Sequence, residues 1–205
     1  MRHRLLPLIC CTLLSAAMIA EVRMIAQQAE PPSSTRLPPV RAELETEFVF
    51  GDGRRVVVAG TYHRSSDGRV REEQGDTVTV ADIKKARMTI FNKTAKEAMV
   101  FQFDPATKDP TPRTEAPGRP VLRGVYEEFP VSKVRAPLDD GAEHEMWTAT
   151  DLGLIVYGRV GSPQLTTTKR LKNIKLAEPE EELFEVPAGY RSVERKVPPP
   201  KRLEH

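Results

Sequence analysis

The sequence predicts a mainly β protein: an antiparallel curved sheet or half-barrel with few short helices, or alternatively a β-sandwich. Three observations lead there. Short apolar stretches alternate with period two, as in the 76–82 segment "DTVTVAD", where Val78 and Val80 share one face and Thr77 and Thr79 the other. Turn signals follow at short intervals: Gly51-Asp52-Gly53, Ser66-Asp67-Gly68, Gly75-Asp76 and Asn92-Lys93. No window carries the 3.6-residue periodicity of a long amphipathic helix. The two short helical candidates are "VADIKKAR" and "EPEEELF".

The elements follow in order. Arg2 and Arg4 precede a sixteen-residue apolar run from Leu5 to Ala20, and small and polar residues come after it. This is the pattern of a secretory signal peptide, and the run is shorter than the ~20 residues needed to span a bilayer. Residues 1–29 are therefore expected to be a signal peptide, cut between residues 20 and 29, and the protein to be exported. Cys10 and Cys11, the only cysteines, lie within that run. The processed chain then has no disulfide, zinc thiolate or cysteine nucleophile. A cut after Ala29 removes Arg2, Arg4 and Arg23 from the 31 basic residues and Glu21 from the 29 acidic ones, so the charge of +2 falls to zero. A neutral domain offers no electrostatic footprint for nucleic acid.

Residues 30–42, "EPPSSTRLPPVRA", read as a proline-rich linker. Residues 43–194 are expected to form one β domain. Strand-like segments begin with "ETEFVFG", "RRVVVAGTYHR" and "GRVREE" and continue through "ARMTIFN" and "EAMVFQFD". Residues 104–120 hold five prolines and read as a loop interrupting the sheet. Strands resume with "VLRGVYEEFPVSKV", "HEMWTATDLG", "LIVYGRVG" and "LTTTKRLKNIKL", for nine or ten in all. Residues 195–205 are a basic, proline-rich tail. A half-barrel needs a cover for its open side, and the proline-rich loop and the linker are the segments available.

The candidate chemistry is thin. His63 lies on the strand face opposite Tyr62 and Arg64, with no nucleophile spacing near it, and reads as a surface histidine. "DDGAEHE" (Asp139 to Glu145) matches no calcium-loop spacing and reads as a solvated turn. Glu72 and Glu73 are neighbours on a strand, point to opposite faces, and cannot flank one substrate bond. Arg69 and Arg71 share a face with Glu73, as in a cross-strand ion-pair ladder. Neither a metal site nor a catalytic set is expected, and no cofactor. An apolar sheet face is the remaining candidate, formed by Val78, Val80, Met88, Ile90, Met99, Phe101 and Phe103 on one side of a meander. Trp147 serves either as a ligand anchor or, more simply, as core.

The order of segments carries a resemblance. "GTYHRSSDGRVREE", "VTVADIKKARMTIFNKTAKEA", "LRGVYEEFPVSKV", "EHEMWTATDLGLIVYGRV" and "TKRLKNIKLAEPEEELFEVPAGY" resemble a group of secreted bacterial proteins, over roughly residues 58–193. The terminal element is also similar to the end of LolA- and RseB-type envelope proteins. That resemblance implies an antiparallel half-barrel whose hydrophobic concave face binds lipid or acyl chains. It implies a periplasmic or cell-envelope location in a bacterium, at most peripheral membrane association, and no enzymatic activity. The expected partner is a lipid or lipoprotein. The other reading is a structural, sensing or interaction module that binds an envelope protein.

Overall fold

A computed structural model describes residues 37–102, 122–137 and 142–196. Within them twelve strands join a single sheet. They are β1 (Val40–Phe50), β2 (Arg55–Arg64), β3 (Arg69–Gln74), β4 (Thr77–Asp82), β5 (Arg87–Asn92), β6 (Glu97–Gln102), β7 (Leu122–Tyr126), β8 (Phe129–Pro137), β9 (Glu143–Ala149), β10 (Leu154–Gly161), β11 (Leu165–Lys175) and β12 (Arg191–Lys196). The order across the sheet is β12-β6-β5-β4-β3-β2-β1-β11-β10-β9-β8-β7. Two antiparallel meanders, β1–β6 and β7–β11, are joined by pairing of β1 with β11. β12 alone is parallel to its neighbour, β6.

The local chemistry places the turns. Gly75, with φ of 56°, and Asp76 make the two-residue turn between β3 and β4. The "VADIKKAR" helical candidate is instead the end of β4, a turn at Ile83–Ala86 and the start of β5; Asp82 pairs with Arg87 across it. The run is too short, and too well matched to the strands on either side, to nucleate a helix. "EPEEELF" is helical only as one 3-10 turn, Glu181–Phe184. β1 starts at Val40, inside the stretch read as linker, because Val40 and Ala42 are buried core residues. The proline-rich loop, residues 104–120, lies outside the described residues.

The sheet is folded sharply toward one face. Lys169 on β11 donates to Glu72 on β3 at 2.6 Å, reaching across β1 and β2. Gln74 on β3 donates to the Thr46 hydroxyl on β1 at 2.6 Å, reaching across β2. Gly60 makes this possible: a Cβ there would lie 2.0 Å from the Glu73 carbonyl oxygen. On the opposite face the ion pairs join adjacent strands, as in Lys172–Glu45 at 2.6 Å and Arg170–Glu47 at 3.1 Å between β11 and β1. The first face is therefore concave and the second is outer.

The main core fills the fold at one end. Val40, Ala42, Leu44, Tyr62 and Val70 from β1–β3 meet Leu154, Val156, Leu171 and Ile174 from β10 and β11, with Val131 and Ala149 beyond. Irregular register between Ile155 and Tyr157 on β10, and between Arg41 and Glu43 on β1 where Asn173 of the facing β11 has φ of 52°, lets the sheet turn this corner.

Arg64, 1% exposed, closes that end. Its Nη2 donates to the Leu152 carbonyl at 2.8 Å and the Pro38 carbonyl at 2.9 Å; Nη1 reaches Gly153 at 3.3 Å and Nε reaches Pro38 at 3.2 Å. A planar fork of five donors suits this set of carbonyls, and a lysine ammonium does not. Replacing Arg64 by Leu is expected to cost roughly 3–5 kcal/mol, because several buried carbonyls lose their donors together. Gly60→Ala is expected to cost at least the ~1–3 kcal/mol of an overpacked site. Urea unfolding followed by circular dichroism checks both, and a loss under about 1 kcal/mol for Arg64→Leu, less than one buried unsatisfied group costs, would show that the clamp is dispensable.

Candidate functional site

Residues directly opposed in adjacent strands share a face, so the register assigns each candidate side chain. On β5 and β6, Met88 faces Phe101 and Ile90 faces Met99. On β4 their partners are Ala81 and Thr79. Across the parallel pair, Val193 of β12 stands beside Met99. Following the same register through β3 to Glu72, Val70 and Tyr62 places this set on the concave face. Met88 is buried, Ile90 and Phe101 are half-buried, and Met99 and Val193 are 41% and 44% exposed. The result is an apolar patch open to solvent on the inner side of the edge strands.

Val78 and Val80 do not belong to it. They pair with Phe91 and Thr89 and lie on the outer face. The expectation of one apolar side across the meander is corrected here. The turns between β4 and β5 and between β5 and β6 each insert four residues, so odd-numbered positions of one strand face even-numbered positions of the next. Phe103 lies outside the described residues.

Trp147 is also on the outer face, opposite Tyr157 and Lys133. One side of its ring lies on Tyr157 at a centroid distance of 4.4 Å, the Lys133 ammonium sits 3.8 Å from its centroid, and Nε1 donates to Glu145 at 2.9 Å. Tyr126 meets it edge-on at 5.9 Å and donates its hydroxyl to the Leu171 carbonyl at 2.8 Å. The indole thus packs the β7–β10 region and presents no free ring face for a ligand.

Between the patch and the main core lies a polar layer: Thr46, Gln74, Glu72 and Lys169, with the Glu72–Lys169 pair at 2.6 Å. Glu72 and Glu73 do point apart. Glu73, on the outer face, accepts from Arg71 at 2.5 Å and from Lys93 at 2.7 Å.

The outer face of β3–β6 is covered by the chain's own C-terminal crossing, residues 176–190, which runs from β11 over β1, β2, β3, β4 and β5 before β12 joins β6. Phe184 of this strap sits in a second core with Val78, Val80, Phe91 and Ala98, flanked by Leu183, Val186 and Tyr190. The Phe91 and Tyr190 rings meet edge to face at 5.4 Å. Polar ties from the sheet hold the strap. Arg41 donates to the Glu178 carbonyl at 2.5 Å and the Glu180 carboxylate at 3.0 Å, the Ser66 amide donates to the Glu178 carboxylate at 3.1 Å, and Arg71 donates to the Leu183 carbonyl at 2.6 Å.

His63 lies on this outer face between Arg41 and Arg71, the residues it pairs with on β1 and β3. It is half-buried with Nδ1 unpartnered, so the surface reading is corrected: the strap packs over it. Burial, and then the guanidiniums of Arg41 and Arg71, push its pKa below the ordinary histidine value. Among the described residues no group of three or more His, Cys, Asp and Glu side chains is arranged to hold a metal ion. Asp139 and Asp140 lie outside that range.

No family model matches the chain, and no curated protein matches it significantly. Solved structures do match. An uncharacterised protein from Thermus thermophilus superposes with a TM-score of 0.52 at 12% identity, over 85% of this chain and 99% of that one. A chain of the MucA/MucB complex of Pseudomonas aeruginosa gives 0.50 at 16% identity, over 83% of this chain and 61% of that one, so this chain spans less than two thirds of its length. A LolA superfamily protein from Nitrosomonas europaea is a looser likeness, with a TM-score of 0.38 at 6% identity over 81% of this chain and 96% of that one. The fold, an open curved antiparallel sheet, is shared with the Thermus thermophilus protein and the MucA/MucB chain.

The strap's hold is expected to depend on pH. With its pKa depressed in the closed form, His63 takes up a proton more readily once the strap opens. Closure is then at full strength above the ordinary histidine value of about 6.5 and weakens as pH falls below it. Glu180 on the strap, held below the ordinary carboxylate value by its own backbone amide and then Arg41, faces His63 and favours its charged form, which offsets part of this shift. Glu73 also faces His63 and favours its charged form. Amide exchange at Leu183 and Phe184, corrected for intrinsic rate, should lose protection between about pH 7 and about pH 5.5, the span around the ordinary histidine value. His63→Leu should flatten the profile, and an unchanged profile in that variant would assign the effect elsewhere.

Proposed function

We propose that this protein is exported, works in the bacterial cell envelope without catalysing a reaction, and binds an acyl chain of a lipid or lipoprotein on its concave face. One observation carries this reading: the register gathers Met88, Ile90, Met99, Phe101 and Val193 on the concave side of β5, β6 and β12, with Met99 and Val193 left open to solvent. Methionine-rich apolar surfaces adapt to flexible aliphatic ligands, because the thioether side chain is unbranched and polarisable. The apolar leader at residues 5–20 supports export. The architecture is compatible with such a role, since a curved sheet with one open side offers a groove where a closed sandwich does not.

A second reading, a protein-interaction module, is favoured by a different feature. Edge strand β7 exposes Leu122 at 63% and Val125 at 68%. An exposed edge can pair with an extended segment of a partner. The MucA/MucB likeness is in keeping with a fold that can take a protein partner.

The processed protein is expected to take up a fluorescent fatty acid saturably. Met99→Glu should weaken uptake roughly ten- to a hundredfold, since a buried methionine contributes about 1.5–3 kcal/mol. Ile83→Glu, on the β4–β5 turn, should not. No uptake by the unaltered protein, with capture of an envelope protein lost on Val125→Asp, would replace the first reading with the second. Cell fractionation should recover the chain outside the cytoplasm with its leader removed.

A further inference from the structure

The outer face holds a cavity separate from the concave patch. Where the strap crosses β4 and β5 it leaves a pocket of about 300 Å³. Val80, Phe184 and Val186 give it an apolar lining, and Thr89 and Ser192 add hydroxyls. Its ionic groups are Arg69, Lys85 and Arg87 against Asp82 and Glu185.

The charges are not equally committed. Lys85 pairs with Asp82 at 3.4 Å, and the Asp82 carboxylate also accepts from the Lys85 amide at 3.0 Å. Arg69 lies over the Phe184 ring at 4.9 Å and is held by Asp67 at 2.9 Å and by Glu181 of the strap at 3.6 Å. Arg87 is exposed, and among the described residues its guanidinium makes no ion pair. Its forked donors are therefore available beside an apolar recess at the small end of the ~300–1,000 Å³ range of ligand pockets.

We propose that this pocket binds a small amphipathic anion, an aliphatic carboxylate, with its head on Arg87 and its chain against Val80, Phe184 and Val186. The site does not depend on the concave-face reading, because the two lie on opposite sides of the sheet. The strap lines it with Phe184, Glu185 and Val186, and the rest of its wall comes from β3–β5, the β4–β5 turn and Ser192 of β12. A bound carboxylate therefore bridges strap and sheet and favours the closed strap by mass action.

The test is a titration of the whole processed protein with octanoate, followed by amide and methyl shifts, with octanol and acetate as comparisons. Octanoate should shift Val80, Phe184 and Val186 saturably and slow amide exchange at Leu183. Arg87→Gln should weaken that binding about tenfold or more, as loss of a charge-assisted contact does. Arg87 is exposed, so this variant keeps the fold. Octanol and acetate should each bind more weakly, one lacking the charge and the other the chain. Shifts confined to Met99 and Phe101, no shifts at all, equal binding by acetate, or undiminished binding by Arg87→Gln would each overturn the proposal.

Discussion

The fold depends on a buried guanidinium. Arg64 sits at the end of β2 and donates to carbonyls at Pro38, Leu152 and Gly153, so it ties the entry to β1 and the β9–β10 turn to the middle of the sheet. These segments are distant in sequence. A flat twelve-stranded sheet would leave them apart and would expose Leu44, Tyr62 and Val70 to water. The clamp has a cost, since a charge is taken from solvent, and burial lowers the Arg64 pKa. Carbonyl dipoles offset that cost because the guanidinium is planar, weakly hydrated and able to satisfy several acceptors at once. With that end closed, Gly60 supplies the bend, and the Lys169–Glu72 pair spans the concave side.

Folding the sheet in this way creates two unequal faces. At the clamped end the concave face is filled with the chain's own core. Toward β5, β6 and β12 it opens into the methionine and phenylalanine patch. On the outer face the strap does the covering, and Phe184 occupies the hollow over Val78, Val80 and Phe91. The strap is held by a few polar ties and one aromatic plug, whereas the main core involves strands from both meanders. Its local stability is accordingly set by fewer contacts, which is the physical basis for expecting it to respond to protonation at His63 or to a bound anion.

Much of this was legible along the chain. The strands at 77–82, 87–92 and 97–102, the turns at Gly75-Asp76 and Ser66-Gly68, and the opposite orientation of Glu72 and Glu73 all follow from period-two geometry and turn chemistry. The simpler of the two roles open to Trp147, packing, is the one its ring contacts describe. The grouping of Val78 and Val80 with Met88, Ile90 and Met99 did not survive, because alternation orders residues within a strand but says nothing of the face a neighbouring strand turns toward it. Val193 was missed for a related reason: in "RSVERK" it is one apolar residue among charges, and only pairing with β6 gives it apolar company. The strap had one signal, Leu183, Phe184, Val186 and Tyr190 following the last long strand, but apolar residues in a short irregular stretch do not reveal what they cover. His63 was read as exposed for want of that cover.

The sequence by itself determined the class of structure and its local periods: short antiparallel strands and the residues that turn them. These depend on interactions between near neighbours, which a linear string records. The tertiary structure alone decided which face is concave, which apolar residues remain open there, and which are closed off by residues 176–190. Those outcomes depend on Arg64 meeting carbonyls up to 89 positions away and on Gly60 admitting the Glu73 carbonyl where a Cβ would lie 2.0 Å from it, and such contacts exist only after the sheet has folded on itself.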